Sequence, residues 1–91
     1  CDAIVGPVTP TAAFRVGEKS ADPVQMYLGD IFTVNVNLAG ICGLSVPCGF
    51  TAAGLPAGLH VVGPAFEDAR VLTIGAAYQH ATEWHKKQPE I

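Results

Sequence analysis

The chain has 91 residues, of which 14% are charged and 49% hydrophobic; a globular chain of this length is one domain burying only about 60 to 65% of its unfolded surface, and its charged fraction is ordinarily about 25%. This composition excludes disorder, which needs low hydrophobicity and high charge, and five Lys and Arg against eight Asp and Glu exclude a polybasic nucleic-acid binder. No Asp, Glu, Lys or Arg occurs from Ile31 to Phe66, but Gly40, Gly43, Pro47, Gly49, Gly54, Pro56, Gly58, Gly63 and Pro64 break that stretch, so it cannot persist as one membrane-crossing helix.

In chain order, Ala3-Ile4-Val5 is a short apolar run closed by Gly6-Pro7, which reads as a buried strand entering a loop. From Pro7 to Asp22 no periodicity exists, and a connection of about sixteen residues is long beside the usual 4 to 6, so it is either functional or packed on neighbouring structure. Asp22-Pro23 reads as a helix start, with Asp as N-cap and Pro in the first helical position. Apolar residues then recur at three and four positions to Ile41. This predicts one helix or two short ones between Val24 and Ala39, ended by Gly40, with a break expected near Val34 or Asn35, where β-branched residues and asparagines crowd. Leu44–Phe50 and Gly58–Gly63 read as strands joined by the turn chemistry of Thr51–Pro56, a hairpin in which Pro47 demands an edge, a bulge or a strand end. Glu67 to His85 is the clearest helix, with Val71, Ile74, Gly75, Tyr78 and Ala81 or Thr82 on its packing face. The order strand, loop, helix, hairpin, helix is α/β, and three strands make only part of a sheet.

So uncharged a stretch on so short a chain implies that something else covers it. The chain opens on Cys1, its only methionine is Met26, and no basic segment followed by an apolar run marks a secretory signal. The expectation is therefore a piece of a larger, cytoplasmic protein or an obligate assembly. Cys1, Cys42 and Cys48 form an odd set with no CxxC pair and are expected to be buried reduced thiols.

Few residues offer chemistry. Gly43-Leu44-Ser45-Val46-Pro47 looks superficially like a nucleophile elbow, but that turn needs glycine where Pro47 stands, so Ser45 reads as a strand serine satisfied by backbone; Ser20, beside Lys19, reads as a solvated turn. His60 should lie on one strand face as a polar or hydrogen-bonded residue. His80 and His85, five positions apart, point about 140° apart on a helix and cannot share a metal. Asp30 is the last charge before the uncharged stretch. It reads as a solvated helix-face residue, a cap at a helix break, or a partner for a substrate ammonium or guanidinium, with Tyr27 and Thr33 on the same helical face.

Several motifs together carry a resemblance: Asp2-Ala3-Ile4-Val5-Gly6-Pro7-Val8-Thr9-Pro10-Thr11, Tyr27-Leu28-Gly29-Asp30-Ile31-Phe32-Thr33, Asn37-Leu38-Ala39-Gly40, Gly43-Leu44-Ser45-Val46-Pro47-Cys48-Gly49, Gly54-Leu55-Pro56-Ala57-Gly58-Leu59-His60 and Ala81-Thr82-Glu83-Trp84-His85. They resemble the carboxy-terminal region of the A subunits of aspartyl/glutamyl-tRNA amidotransferases, within the amidase signature family. The resemblance implies an α/β fold: residues 1–91 would be the carboxy-terminal portion of one amidase domain, a mixed β-sheet core flanked by helices, not autonomous. It implies a glutaminase subunit that releases ammonia from glutamine, the ammonia passing to a B subunit that amidates ATP-activated Glu-tRNA(Gln) or Asp-tRNA(Asn). Partners would be glutamine, the remainder of the A subunit, the B and C subunits and, through the complex, tRNA, with no membrane. ATP and magnesium would serve the partner subunit, and this segment would bind no cofactor or metal. The family's Ser–cis-Ser–Lys triad would lie before Cys1, leaving no catalytic residue in this segment, and the family's acid that meets the substrate α-ammonium matches Asp30. Asn35 and Cys42 depart from the pattern at positions where proline is frequent. A general amidase acting on other amides, or a non-catalytic module binding a partner through apolar surface, are the competing readings.

Overall fold

A computed structural model describes residues 1–18 and 22–89. Three strands form one sheet in the order β1 (Ile4–Pro7), β3 (Pro56–Gly63), β2 (Cys42–Phe50), and both pairings are antiparallel. Helices α1 (Pro23–Leu28) and α2 (Val34–Ala39) lie between β1 and β2 in sequence, and α3 (Asp68–Ala81) follows β3. A 3₁₀ turn, Trp84–Lys86, follows α3 among the described residues.

The hairpin forms as the turn chemistry predicts, and Pro47 resolves as both an edge residue and a bulge. Pro47 pairs with Gly58 and Gly49 with Ala57, so Cys48 is the extra residue on an edge strand, where a missing backbone N–H costs no ladder bond. Gly49 takes φ 141°, and Trp84 lies 3.9 Å from where its Cβ would stand. Trp84 also meets Phe50 edge to face, ring centroids 6.2 Å apart, which ties the end of the chain to the hairpin.

Alternation along the strands gives the sheet two different faces. Leu44, Val46, Leu59, Val61 and Gly63 share one face, and α3 packs on it. The approach is close because two glycines permit it: a Cβ on Gly63 would stand 2.6 Å from Val71 Cγ1, and one on Gly75 would collide with Leu44 Cδ2. Val46, Val61 and Val71 are the buried apolar residues, and Val61 on the central strand is fully buried. The predicted packing face of α3 is borne out, with Val71 and Gly75 buried and Ile74, Tyr78 and Thr82 half-buried. Its end is corrected: the α-helix stops at Ala81 because Thr82 turns extended (ψ 171°) and its hydroxyl donates back to the Tyr78 carbonyl.

The other face carries Gly43, Ser45, Gly58, His60 and Val62, and it is thinly covered by Val8 and Val36. The body measures 38 × 32 × 16 Å, and its short dimension accommodates a sheet with one full helix layer, since packed layers lie about 10 Å apart. The apolar pattern of β1 predicts a buried strand, yet Ile4 and Val5 are 64% and 58% exposed. It pairs on one side only, and no further strand among the described residues covers its outer edge. The three thiols are all free, but Cys1 is exposed and Cys42 and Cys48 only half-buried, because they stand at the terminus, the edge strand and the bulge.

Candidate functional site

Asp22 caps α1 as its position before Pro23 predicts: its Oδ1 accepts the backbone N–H groups of Val24 and Gln25 at 3.0 and 3.5 Å. The helical stretch does break, but at Gly29–Thr33 and not at Val34 or Asn35. Gly29 offers weak helix propensity, and the chain tightens there into bonds from Asp30 to Tyr27, Ile31 to Leu28 and Thr33 to Asp30, three residues apart instead of four. The Thr33 hydroxyl also donates to the Asp30 carbonyl at 3.3 Å, and α2 then begins with the Val34 N–H on the same oxygen at 2.9 Å. The β-branched residues that propensity marks as breakers instead start a new helix, which ends where Gly40 takes φ 70°. Asn35 falls in its first turn, where proline is tolerated, and Cys42 is the first residue of an edge strand, so both departures stand where proline and its replacement are equally compatible with the backbone.

Asp30 therefore sits on the turn between two short helices. The expectation that Tyr27 and Thr33 share one helical face with it is corrected, because no single helix spans them. Tyr27 is 76% exposed, and Thr33 reaches the backbone of Asp30. The Asp30 side chain is exposed and borders a groove of about 330 Å³ between α1 and the long loop, together with Thr9, Thr11, Phe14, Gln25 and Gly29. The loop is thus packed on α1 and contributes to a groove that holds a carboxylate from the α1–α2 turn. An exposed carboxylate can accept charge-assisted hydrogen bonds from a ligand ammonium.

The other candidates separate from this groove. Ser45 stands in the middle of β2 opposite His60, exposed and far from any strand-to-helix turn. Ser20 and Lys19 lie outside the described residues. His60 is buried at 8% exposure in the central strand, and His80 and His85 fall on α3 and the terminal 3₁₀ turn. No group of three or more His, Cys, Asp or Glu side chains able to hold a metal ion occurs among the described residues. One contact has no sequence signal: the Cys42 thiol donates to Asp68 Oδ1 at 2.6 Å and lies 3.2 Å from the Pro64 carbonyl. The hydrogen bond to Asp68 and partial burial hold that thiol above its ordinary range. Its partners are 22 and 26 positions away, and no local pattern marks so distant a pair.

Comparison with known proteins places these features. The profile of the amidase family matches residues 1–72, and the chain belongs to that family. It is 58% identical over its whole length to the A subunit of Glutamyl-tRNA(Gln) amidotransferase from Chromobacterium violaceum and 60% identical over 89 residues to that from Ralstonia pickettii. The crystal structure of the A subunit of Glutamyl-tRNA(Gln) amidotransferase from Thermotoga maritima superposes with a TM-score of 0.82 at 44% identity, covering 89% of this chain and 18% of that one. The chain spans 19% and 18% of the length of the two curated relatives. The resemblance carried by the sequence motifs and the α/β fold class are both borne out. No helix among the described residues is long and apolar enough to cross a membrane.

Proposed function

We propose that this chain is the carboxy-terminal part of a glutaminase A subunit of a tRNA-dependent amidotransferase, and that Asp30 holds the α-ammonium of glutamine. The observation that carries the reading is the identity of 58% over all 91 residues to the A subunit of a Glutamyl-tRNA(Gln) amidotransferase. The exposed Asp30 carboxylate on a groove of amino-acid size supports the role given to that residue. An ammonium leaving water needs a charged acceptor, and an aspartate on a backbone-anchored turn supplies one at fixed position.

In this reading the hydrolytic nucleophile and its base come from the remainder of the A subunit. The segment supplies a sheet face and a substrate anchor, and holds no cofactor or metal. Ammonia released from glutamine passes to the B subunit of a cytoplasmic complex that also includes a C subunit. There ATP and magnesium activate Glu-tRNA(Gln) or Asp-tRNA(Asn). The exposed apolar residues Ile4, Val5, Val24, Leu38 and Leu72 accord with a segment that the rest of its polypeptide covers and that cannot fold or act alone.

Kinetics on the full-length protein in its complex test this. Glutamine should be hydrolysed in preference to aliphatic and aryl amides, and Asp30→Asn, which keeps shape and removes charge, should erase most of that preference. Equal activity on simple amides in the unaltered enzyme would instead support a general amidase.

A further inference from the structure

Every described residue of α1, α2 and the turn between them is exposed or half-buried, so the Asp30 turn cannot be held by a core of its own. One close approach to the sheet is made by the first turn of α2. There the half-buried Val36 approaches β2 so closely that a Cβ on Gly43 would stand 3.4 Å from Val36 Cγ1 and 3.0 Å from His60 Nε2. His60 is the one buried polar side chain among the described residues, at 8% exposure. It lines two adjoining cavities under this helix, one with Phe32 and Asn35, the other with Thr33 and Asn37. The imidazole therefore stands on the floor of the cavities under residues 32–37, beside the space that Gly43 leaves by having no side chain. The same turn of helix fixes Asp30, whose carbonyl receives the N–H groups of Thr33 and Val34 at 3.0 and 2.9 Å.

We infer that His60 is a positioning residue for Asp30, acting through Val36 and the first turn of α2, with Gly43 as the small residue that makes room for it. The inference rests on Asp30 being the glutamine anchor. Because the carboxylate must meet an ammonium at hydrogen-bond distance, a shift of α2 by a few tenths of an ångström weakens substrate binding before it disturbs chemistry performed elsewhere.

The test uses the full-length protein in its complex and reads KM and kcat for glutamine and for a simple aliphatic amide. His60→Ala should raise the glutamine KM about tenfold with kcat within about twofold, and leave the simple amide nearly unaffected. His60→Gln, which retains a polar side chain of similar reach, should restore the KM to within about threefold of the unaltered enzyme. Gly43→Ala, a far milder change to the fold, should raise the glutamine KM about fivefold by displacing the imidazole or Val36. A glutamine KM unchanged in both His60→Ala and Gly43→Ala, or loss of kcat on both substrates in step with a lower melting temperature, would overturn the inference. Asp30→Ala separates the two levels: if it raises the glutamine KM while the His60 and Gly43 variants do not, only the positioning role falls. If Asp30→Ala is also silent, the assignment of the anchor falls with it.

Discussion

In the half of the molecule built from the sheet and α3, a Cβ added to Gly63 or Gly75 meets a valine or leucine side chain at once. In the half that runs from the long loop through α2, no described residue is buried at all. The first half has a small interior centred on Val46, Val61 and Val71, and it carries no residue that lines the Asp30 groove. The second half carries the Asp30 groove on two six-residue helices, far shorter than the roughly 12 to 15 residues at which an isolated helix becomes even marginally stable. Stability and substrate contact have thus been divided between two regions of one short segment, and the thin region depends on its neighbours for shape.

This division can be strained from either side, and the largest effect is expected in the packed half. Gly75→Leu in the full-length protein drives a large side chain into Leu44 and Val46 and should lower stability by about 3 kcal/mol or more. The result is visible as a thermal melt shifted down by several degrees, with the glutamine KM of the surviving enzyme unchanged. Val61→Ala opens a cavity at the fully buried centre of the sheet and should cost about 2 kcal/mol with the same kinetic silence. In the thin half, Asp22→Ala removes the acceptor for two N–H groups of α1. That costs about 1 kcal/mol locally, and it should show as faster amide hydrogen exchange in residues 24–28 and a modestly higher glutamine KM with almost no change in melting. Smallest of all is Asp68→Asn. The carboxylate holds the Cys42 thiol above its ordinary range by accepting its proton in a hydrogen bond. Removing the charge should move the pH dependence of Cys42 alkylation to lower pH, leaving stability and kinetics as they were. An alkylation profile that stays in place or moves to higher pH would contradict the contact.

How much of this is legible in the amino acids follows the same division. Where structure comes from local chemistry, the sequence suffices: Asp22-Pro23 starts a helix, Gly40 stops one, and the hairpin closes around Thr51–Pro56. The bulge at Cys48 follows from Pro47, because a proline inside a strand has few places to go. What the pattern misplaces depends on competition between neighbours. It puts the break at Gly29–Thr33 some residues too late, because propensity alone counts β-branched residues as breakers and cannot see that Val36 gains a seat on the sheet. It overestimates the burial of β1 for a different reason: an apolar strand records that it will be covered, not by which part of the protein. In the site, Asp30 stands out by its isolation before a long uncharged run, and the motifs around it supply a role. The floor formed by His60 cannot be found that way, since it depends on a glycine 17 positions earlier in the neighbouring strand, close in space only through sheet register.

The most direct test of the account is a paired measurement on Asp30→Ala in the full-length protein, with melting temperature and glutamine KM taken from the same preparation. An exposed side chain whose backbone alone holds the turn should leave melting within about a degree. Loss of a charge-assisted bond to the substrate ammonium, about 1.5 to 3 kcal/mol, should raise the glutamine KM roughly ten- to a hundredfold. An unchanged glutamine KM, with or without a shift in melting, would contradict the claim that the thin half of this segment is where the substrate is held.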